Sequence, residues 1–168
     1  MSDALAIRRL DATELDALNE ELPSWSAGEY DRRLRAQGRG QMVQAVGWLA
    51  GRPVGRGMVL FPEHDEFSPS AVREGCAEVR DVFVLRQRRR LGIATAIMAE
   101  LEEAAREQGM GRVGLSVAVA EEGAAARALY AILGYRHAHG PYVSSTTLTG
   151  DEGPIPVSAV LTYLIKDL

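Results

Sequence analysis

Val82-Phe83-Val84-Leu85-Arg86-Gln87-Arg88-Arg89-Arg90-Leu91-Gly92-Ile93-Ala94-Thr95 passes from an apolar, β-branched run through a basic turn into a helical pattern. Ile93, Ile97 and Leu101, with Ala104 or Ala105, recur at helical spacing, and Gly109 stands where a C-terminal cap belongs. The spacing predicts a strand over 77–85 and a helix over 92–108. A helix N-terminus gathers unpaired N–H groups and about half a positive charge. Gly92 and Ala94 remove side-chain bulk where an anion must approach the backbone, and the arginines before them add attraction for phosphate. Together these features make an anion site suited to a pyrophosphate. The plainer alternative is a solvated basic turn whose glycine merely packs well. The segment is not a P-loop, because no Gly-Lys-Ser/Thr follows, and it lacks the three spaced glycines of the dinucleotide fingerprint.

Upstream, Leu5 to Leu10 reads as a short strand, and Asp11-Ala12-Thr13-Glu14 as a helix start with an Asp cap. Leu15, Leu18 and Leu22 give that helix an apolar stripe, which Pro23 ends. Trp25 to Gln37 predicts a second helix, closed by Gly38. Met42 to Leu49 and Pro53 to Phe61 are strands joined by Ala50-Gly51-Arg52, a hairpin signal. Pro62 to Gly75 is a polar loop, of a length that is often functional or disordered. Downstream follow a strand over 113–119, a helix over 124–133 stopped at Gly134, and strands over 135–143 and 157–165. Ser144 to Gly153 reads as a polar loop between the last two strands. The order predicts one α/β domain over 1–168, built as a mixed sheet with helices on its faces.

Composition narrows the partners. The 168 residues carry a net charge of −4, with eighteen Arg and a single Lys, Lys166. A net acidic chain is a poor general nucleic-acid binder, so phosphate contacts must come from a local cluster such as Arg86 to Arg90. The acidic Glu100-Leu101-Glu102-Glu103 that follows argues against nucleic acid as the partner. Cys76 is the only cysteine, and His64, His137 and His139 are too scattered for a metal cage, so no metal is expected. No apolar run approaches a membrane span, and the first residues, Met1-Ser2-Asp3-Ala4, lack secretory and myristoylation signals. The expectation is a soluble cytoplasmic protein without a membrane partner.

Arg89-Arg90-Leu91-Gly92-Ile93-Ala94 resembles the Arg/Gln-x-x-Gly-x-Gly/Ala signature of the GNAT superfamily, the acyl-CoA-dependent N-acyltransferases. Asp81-Val82-Phe83-Val84 is similar to that family's fourth strand. Ala126-Arg127-Ala128-Leu129-Tyr130 with Leu133-Gly134-Tyr135 resembles its Ala-x-x-Leu-Tyr…Gly-Phe/Tyr segment. The family often has Asn three residues before that Ala, and here the position is Gly123. The resemblance implies a mostly antiparallel mixed sheet of about seven strands with about four helices. It further implies acetyl-CoA as cosubstrate, coenzyme A binding, and acetyl transfer to a primary amine. The backbone of Arg89, Arg90, Leu91, Gly92, Ile93, Ala94 and Thr95 would cradle the pyrophosphate. Val82, Phe83 and Val84 would pair with the pantetheine like an added strand, and the N–H of Val84 would face the thioester oxygen.

The same resemblance implies two catalytic residues. An ammonium of pKa about 10 must lose a proton before its nitrogen attacks a thioester. Glu78 stands where some members carry the base, with Asp81 as a substitute; otherwise Glu78 is a surface acid paired with Arg80. Tyr130 matches the residue that donates a proton to the departing thiolate. On spacing alone, Ala126, Leu129, Tyr130 and Leu133 mark a buried helix face. Cys76 reads as a small hydrophobe at a strand edge. Trp25, Trp48 and Tyr30 read as core, and His137 and His139 alternate onto one strand face. The acceptor, a small molecule or a peptide N-terminus, is open, as is a homodimer. The competing function is a catalytically inactive acyl-CoA sensor or scaffold.

Overall fold

Ala50 (φ 51°) and Gly51 (φ 75°) turn the chain between β2 (Met42–Leu49) and β3 (Arg52–Leu60). A two-residue loop with both φ positive matches the twist of the strands it joins. Leu49 pairs with Arg52 across it, as the hairpin reading requires. The computed structural model describes residues 4–22, 24–62, 76–150 and 153–168. Among them the other elements are β1 (Ala6–Arg9), α1 (Leu15–Glu21), α2 (Glu29–Gly38), β4 (Cys76–Val84) and α3 (Ile93–Glu107), then β5 (Arg112–Ala118), α4 (Ala124–Ile132), β6 (Arg136–Gly150) and β7 (Gly153–Asp167). These are the seven strands of a mixed sheet and four α-helices, the fold class expected. Of the expected 62–75 loop, only Pro62 lies within the described residues.

The chain divides into two units, one running to Val113 and including Leu168, the other Gly114–Asp167. In the first, β1, β2, β3 and β4 lie side by side, each antiparallel to the next. Three glycines on β2 and β3 bring α3 close to one face. A Cβ on Gly57 would stand 2.9 Å from Ile97 Cγ2, and one on Gly47 or Gly55 3.1 Å from Ile93 Cγ2. Ile93, Ile97 and Leu101, the stripe read from the sequence, are all buried there. Leu10, Leu18, Leu22, Tyr30, Val46 and Trp48 form the core cluster of α1, α2 and the strands.

Local signals account for most boundaries, and two of them moved. Asp11 accepts from the Thr13 N–H as a cap should, but it caps a 3-10 turn over Ala12–Glu14, and α1 follows at Leu15. α2 begins at Glu29 and not near Trp25, because Gly28 takes φ 69° and breaks the pattern. Trp25 therefore precedes the helix and is 74% exposed, so its assignment to the core was wrong. Trp48 and Tyr30 are core as expected.

The second unit holds β5, β7 and β6 in that spatial order, with α4. Gly114 on β5 is crossed by the buried ring of Tyr163 on β7; a Cβ there would stand 2.3 Å from Tyr163 Oη. β6 and β7 pair from Arg136↔Ile165 to Gly150↔Gly153, so of the expected polar loop residues 144–150 and 153 belong to a long hairpin ribbon. β-branched Thr146 and Thr147 face Val157 and Pro156, and Ser145 Oγ lies 2.9 Å from Ser158 Oγ. Such cross-strand pairs hold a ribbon whose residues are mostly exposed, which is why its composition read as loop. A register shift between His137 and His139 also overturns their expected shared face. They oppose the adjacent residues Leu164 and Tyr163, so the extra residue Ala138 breaks the alternation.

Candidate cofactor and active site

The basic turn is a 3-10 turn over Arg86–Arg88 followed by two left-handed residues, Arg90 (φ 64°) and Gly92 (φ 76°). A Cβ on Gly92 would meet nothing within 4 Å, so the conformation, not lack of space, calls for glycine. Among the described residues no side chain caps the fifteen-residue α3 at Gly92. Its first N–H groups, at Ile93, Ala94 and Thr95, have no intrahelical partner, and the turn before them is exposed. These are the properties a pyrophosphate needs, and the residues present fit that group. The arginines do not all serve as free charges. Arg89 donates from Nε to the Val84 carbonyl at 3.2 Å and folds the turn back on the strand end.

The direction of the strand's own N–H groups follows from one bond. Leu85 N–H donates to the Val54 carbonyl across β3 at 2.9 Å. Successive strand residues point their polar groups to opposite edges, so Val84 N–H and C=O point away from β3. The Arg89 bond to the Val84 carbonyl agrees with that direction.

Below Val84 the ladder carries an extra residue. Arg56 opposes Phe83 and Met58 opposes Arg80, so Asp81 and Val82 stand against the single residue Gly57. Asp81 takes φ 51°, a left-handed conformation that costs a non-glycine about 1–3 kcal/mol. Its carboxylate is saturated. Oδ2 accepts from Arg33 Nη1 at 2.7 Å and Arg56 Nε at 2.7 Å; Oδ1 accepts from Arg56 Nη2 at 3.2 Å and Trp25 Nε1 at 3.2 Å. Both arginines are buried, at 5% and 3% side-chain exposure. Arg33 is oriented in turn by Glu29 and Gln44, and Arg56 stacks on Phe83. Burial alone would push the Asp81 carboxyl up, but hydrogen bonds from Arg56 and the nearby charges of Arg33 and Arg56 hold it below its usual range. A carboxylate so held is a weak proton acceptor, which disfavours Asp81 as the substitute base.

Glu78 lies on the same strand, opposite Leu60. It pairs with Arg80, Nε to Oε1 at 2.6 Å, yet its side chain is only 7% exposed. The pairing with Arg80 is the expected one, but the acid is buried and does not lie on the surface, and an isolated Glu in a strand pattern carries no burial signal. Arg33 and Arg56 were missed altogether. The available hint was an arginine inside the apolar run of β3, at a position a core strand normally fills with an apolar side chain.

Tyr130 belongs to the second unit, where it is the one buried residue of α4; Ala126 and Leu129 are only partly covered. Its ring lies 5.8 Å from that of Tyr135, whose N–H donates to the Tyr130 carbonyl at 2.9 Å. Burial raises the phenol above its ordinary value. Gly123, at the family's usual Asn position, has no room for a side chain: its Cβ would stand 2.1 Å from the Ala118 carbonyl oxygen. Arg127 occupies that surrounding space, donating to the carbonyls of Ala118 and Ala120. Gly123→Asn is therefore expected to destabilise the protein by about 1–3 kcal/mol through overpacking. Urea unfolding at equilibrium measures this, and an unchanged or higher midpoint would contradict it.

The model of the acetyltransferase (GNAT) family matches residues 7–135, and the chain belongs to that family. It is an acyltransferase, of a family that uses acyl-CoA and acts on amine acceptors. A search of curated proteins found no match. Among solved structures, a ribosomal-protein-alanine N-acetyltransferase from Brucella melitensis has 22% identity and a TM-score of 0.66, covering 97% of this chain and 99% of its own. The ribosomal-protein-S18-alanine N-acetyltransferase from Escherichia coli has 18% identity and a TM-score of 0.64, with coverage of 98% and 94%. PaiA N-acetyltransferase from Thermoplasma acidophilum, in complex with coenzyme A, has 12% identity and a TM-score of 0.62, with coverage of 98% and 99%. No helix among the described residues is long and apolar enough to cross a membrane.

Proposed function

We propose that residues 1–168 act as one N-acetyltransferase domain that moves an acetyl group from acetyl-CoA directly to a primary amine. The acceptor is a small molecule or a peptide N-terminus, and no covalent enzyme intermediate forms. The observation that carries this reading is the pairing of an uncapped α3 start with a Val84 N–H turned away from β3. The backbone from Arg89 to Thr95 would hold the pyrophosphate, and Val82 to Val84 the pantetheine. When bound, acetyl-CoA supplies an acyl carbon activated as a thioester.

The chain's own groups then move protons and steady charge. Val84 N–H donates to the thioester oxygen as negative charge develops on it. Glu78 accepts the ammonium proton through water, and Arg80 holds its carboxylate in one orientation. Tyr130 gives its phenolic proton to the departing sulfur, whose thiol pKa is about 8.5. A coenzyme A complex in one solved neighbour supports the cofactor, and the ribosomal-protein-alanine N-acetyltransferases support a peptide amine as one acceptor class.

Isothermal titration with acetyl-CoA, and with coenzyme A as control, tests the reading. Saturable binding with a Kd below about 1 mM is expected. No heat of binding at millimolar ligand would end it. Binding of both ligands without thiol release on any of a broad panel of amines would favour a sensor over an enzyme.

A further inference from the structure

Val82 to Val84 are placed by something outside the strand. One extra residue in β4 separates the register of Arg80↔Met58 from that of Phe83↔Arg56. A one-residue shift in a strand exchanges the groups that face its two edges. The bulge at Asp81 therefore decides that Val84, and not its neighbour, turns its N–H away from β3. An aspartate tolerates the left-handed conformation there better than most residues, but glycine or asparagine would take it more readily. What distinguishes Asp81 is its carboxylate, with four donors on two oxygens from Trp25, Arg33 on α2 and Arg56 on β3. Arg56 Nη1 also lies 3.4 Å from the Leu22 carbonyl and from Tyr30 Oη, so the clamp is tied into α1 and α2.

We propose that Asp81 is a positioning residue for the thioester half of the cofactor: clamped by Arg33 and Arg56, it holds the bulge that aims the N–H of Val84 away from β3. The inference rests on the reading that this strand carries the pantetheine. It assigns Arg33, Arg56 and Asp81 a part in the reaction that acts through the Val84 N–H.

Two ligands separate this role from a merely structural one. Acetyl-CoA engages both halves of the proposed site, whereas ADP 3′-phosphate, the part of coenzyme A without pantetheine, engages only the turn at Arg89 to Thr95. Titrations of the full chain compare wild type, Asp81→Asn and Asp81→Gly. With one or two backbone hydrogen bonds misaligned, Asp81→Gly is expected to weaken acetyl-CoA about tenfold while ADP 3′-phosphate stays within about twofold. Asp81→Asn, which keeps an oxygen for one arginine, is expected to fall between. If Asp81→Gly binds acetyl-CoA like the wild type, left-handed backbone alone sufficed and the clamp has no positioning role. Equal loss of both ligands would also overturn it, by marking a general structural defect. Should Asp81→Gly not fold, Arg33→Met carries the same test, since Asp81 stays paired with Arg56; a loss of about threefold in acetyl-CoA alone is expected. A wild type that binds ADP 3′-phosphate and acetyl-CoA equally well would show instead that β4 carries no pantetheine. That result removes the underlying reading rather than the clamp's geometry, and the proposal goes with it.

Discussion

Tyr130→Phe is expected to lower turnover about a hundredfold, the lower end for loss of a positioned general acid. That factor corresponds to about 2.7 kcal/mol of transition-state stabilisation. Acetyl-CoA affinity should stay within about twofold, because the substitution keeps the ring in its buried place on α4 and removes only the hydroxyl. Free-thiol release with a reactive amine measures the first, and titration calorimetry the second. Equal loss of both, or loss of neither, would make Tyr130 a packing residue. The raised phenol pKa predicts the shape of the pH profile. The proton is present through neutral pH, so the limb that depends on it falls only as pH climbs through the folded value, above the ordinary phenol value of about 10. The same sign holds for stability: the neutral buried phenol contributes below the unfolded pKa, and that contribution is lost as pH rises through the folded one.

Asp81→Ala should destabilise the protein by about 3–5 kcal/mol, the usual result of removing one partner from a buried ion pair. The carboxylate is 8% exposed and its two arginines less, so solvent screens little of the effect. The loss is dominated by leaving Arg33 and Arg56 uncompensated, not by the net worth of the pairs. Because the folded carboxyl titrates below its ordinary value, the contribution is fully present above the unfolded pKa of about 3.9. It is lost as pH falls through the folded value. Urea unfolding at neutral pH should therefore show the full difference between wild type and variant, and unfolding in acid a smaller one. A neutral-pH difference under about 1 kcal/mol would show that the clamp is not a net requirement of the fold.

The motif-bearing parts were legible because their physics is local. A β-branched run, a basic turn, Gly92 and the stripe Ile93, Ile97, Leu101 are read within one stretch of chain, and the structure places them as a strand, a turn and a helix. The Ala50-Gly51 hairpin is local in the same way. Two errors came where composition stood in for partners. Ser144 to Gly153 looked like loop because a ribbon mostly exposed to water needs no apolar face. Trp25 looked like core because a large aromatic side chain usually is, whereas here its indole N–H is spent on Asp81.

The opening stretch shows where the division falls. By itself the sequence determined that Val82 to Thr95 forms a strand, a basic turn and a helix whose start suits an anion, since each depends on neighbours a few residues away. It could not determine which N–H of the strand is turned away from β3. That direction depends on one extra residue at Asp81, and Asp81 is held by Trp25, Arg33 and Arg56, which lie 56, 48 and 25 positions away. Buried charge is stable only when its partners arrive together. Only the folding of α2, β3 and β4 against one another brings these four side chains to one place.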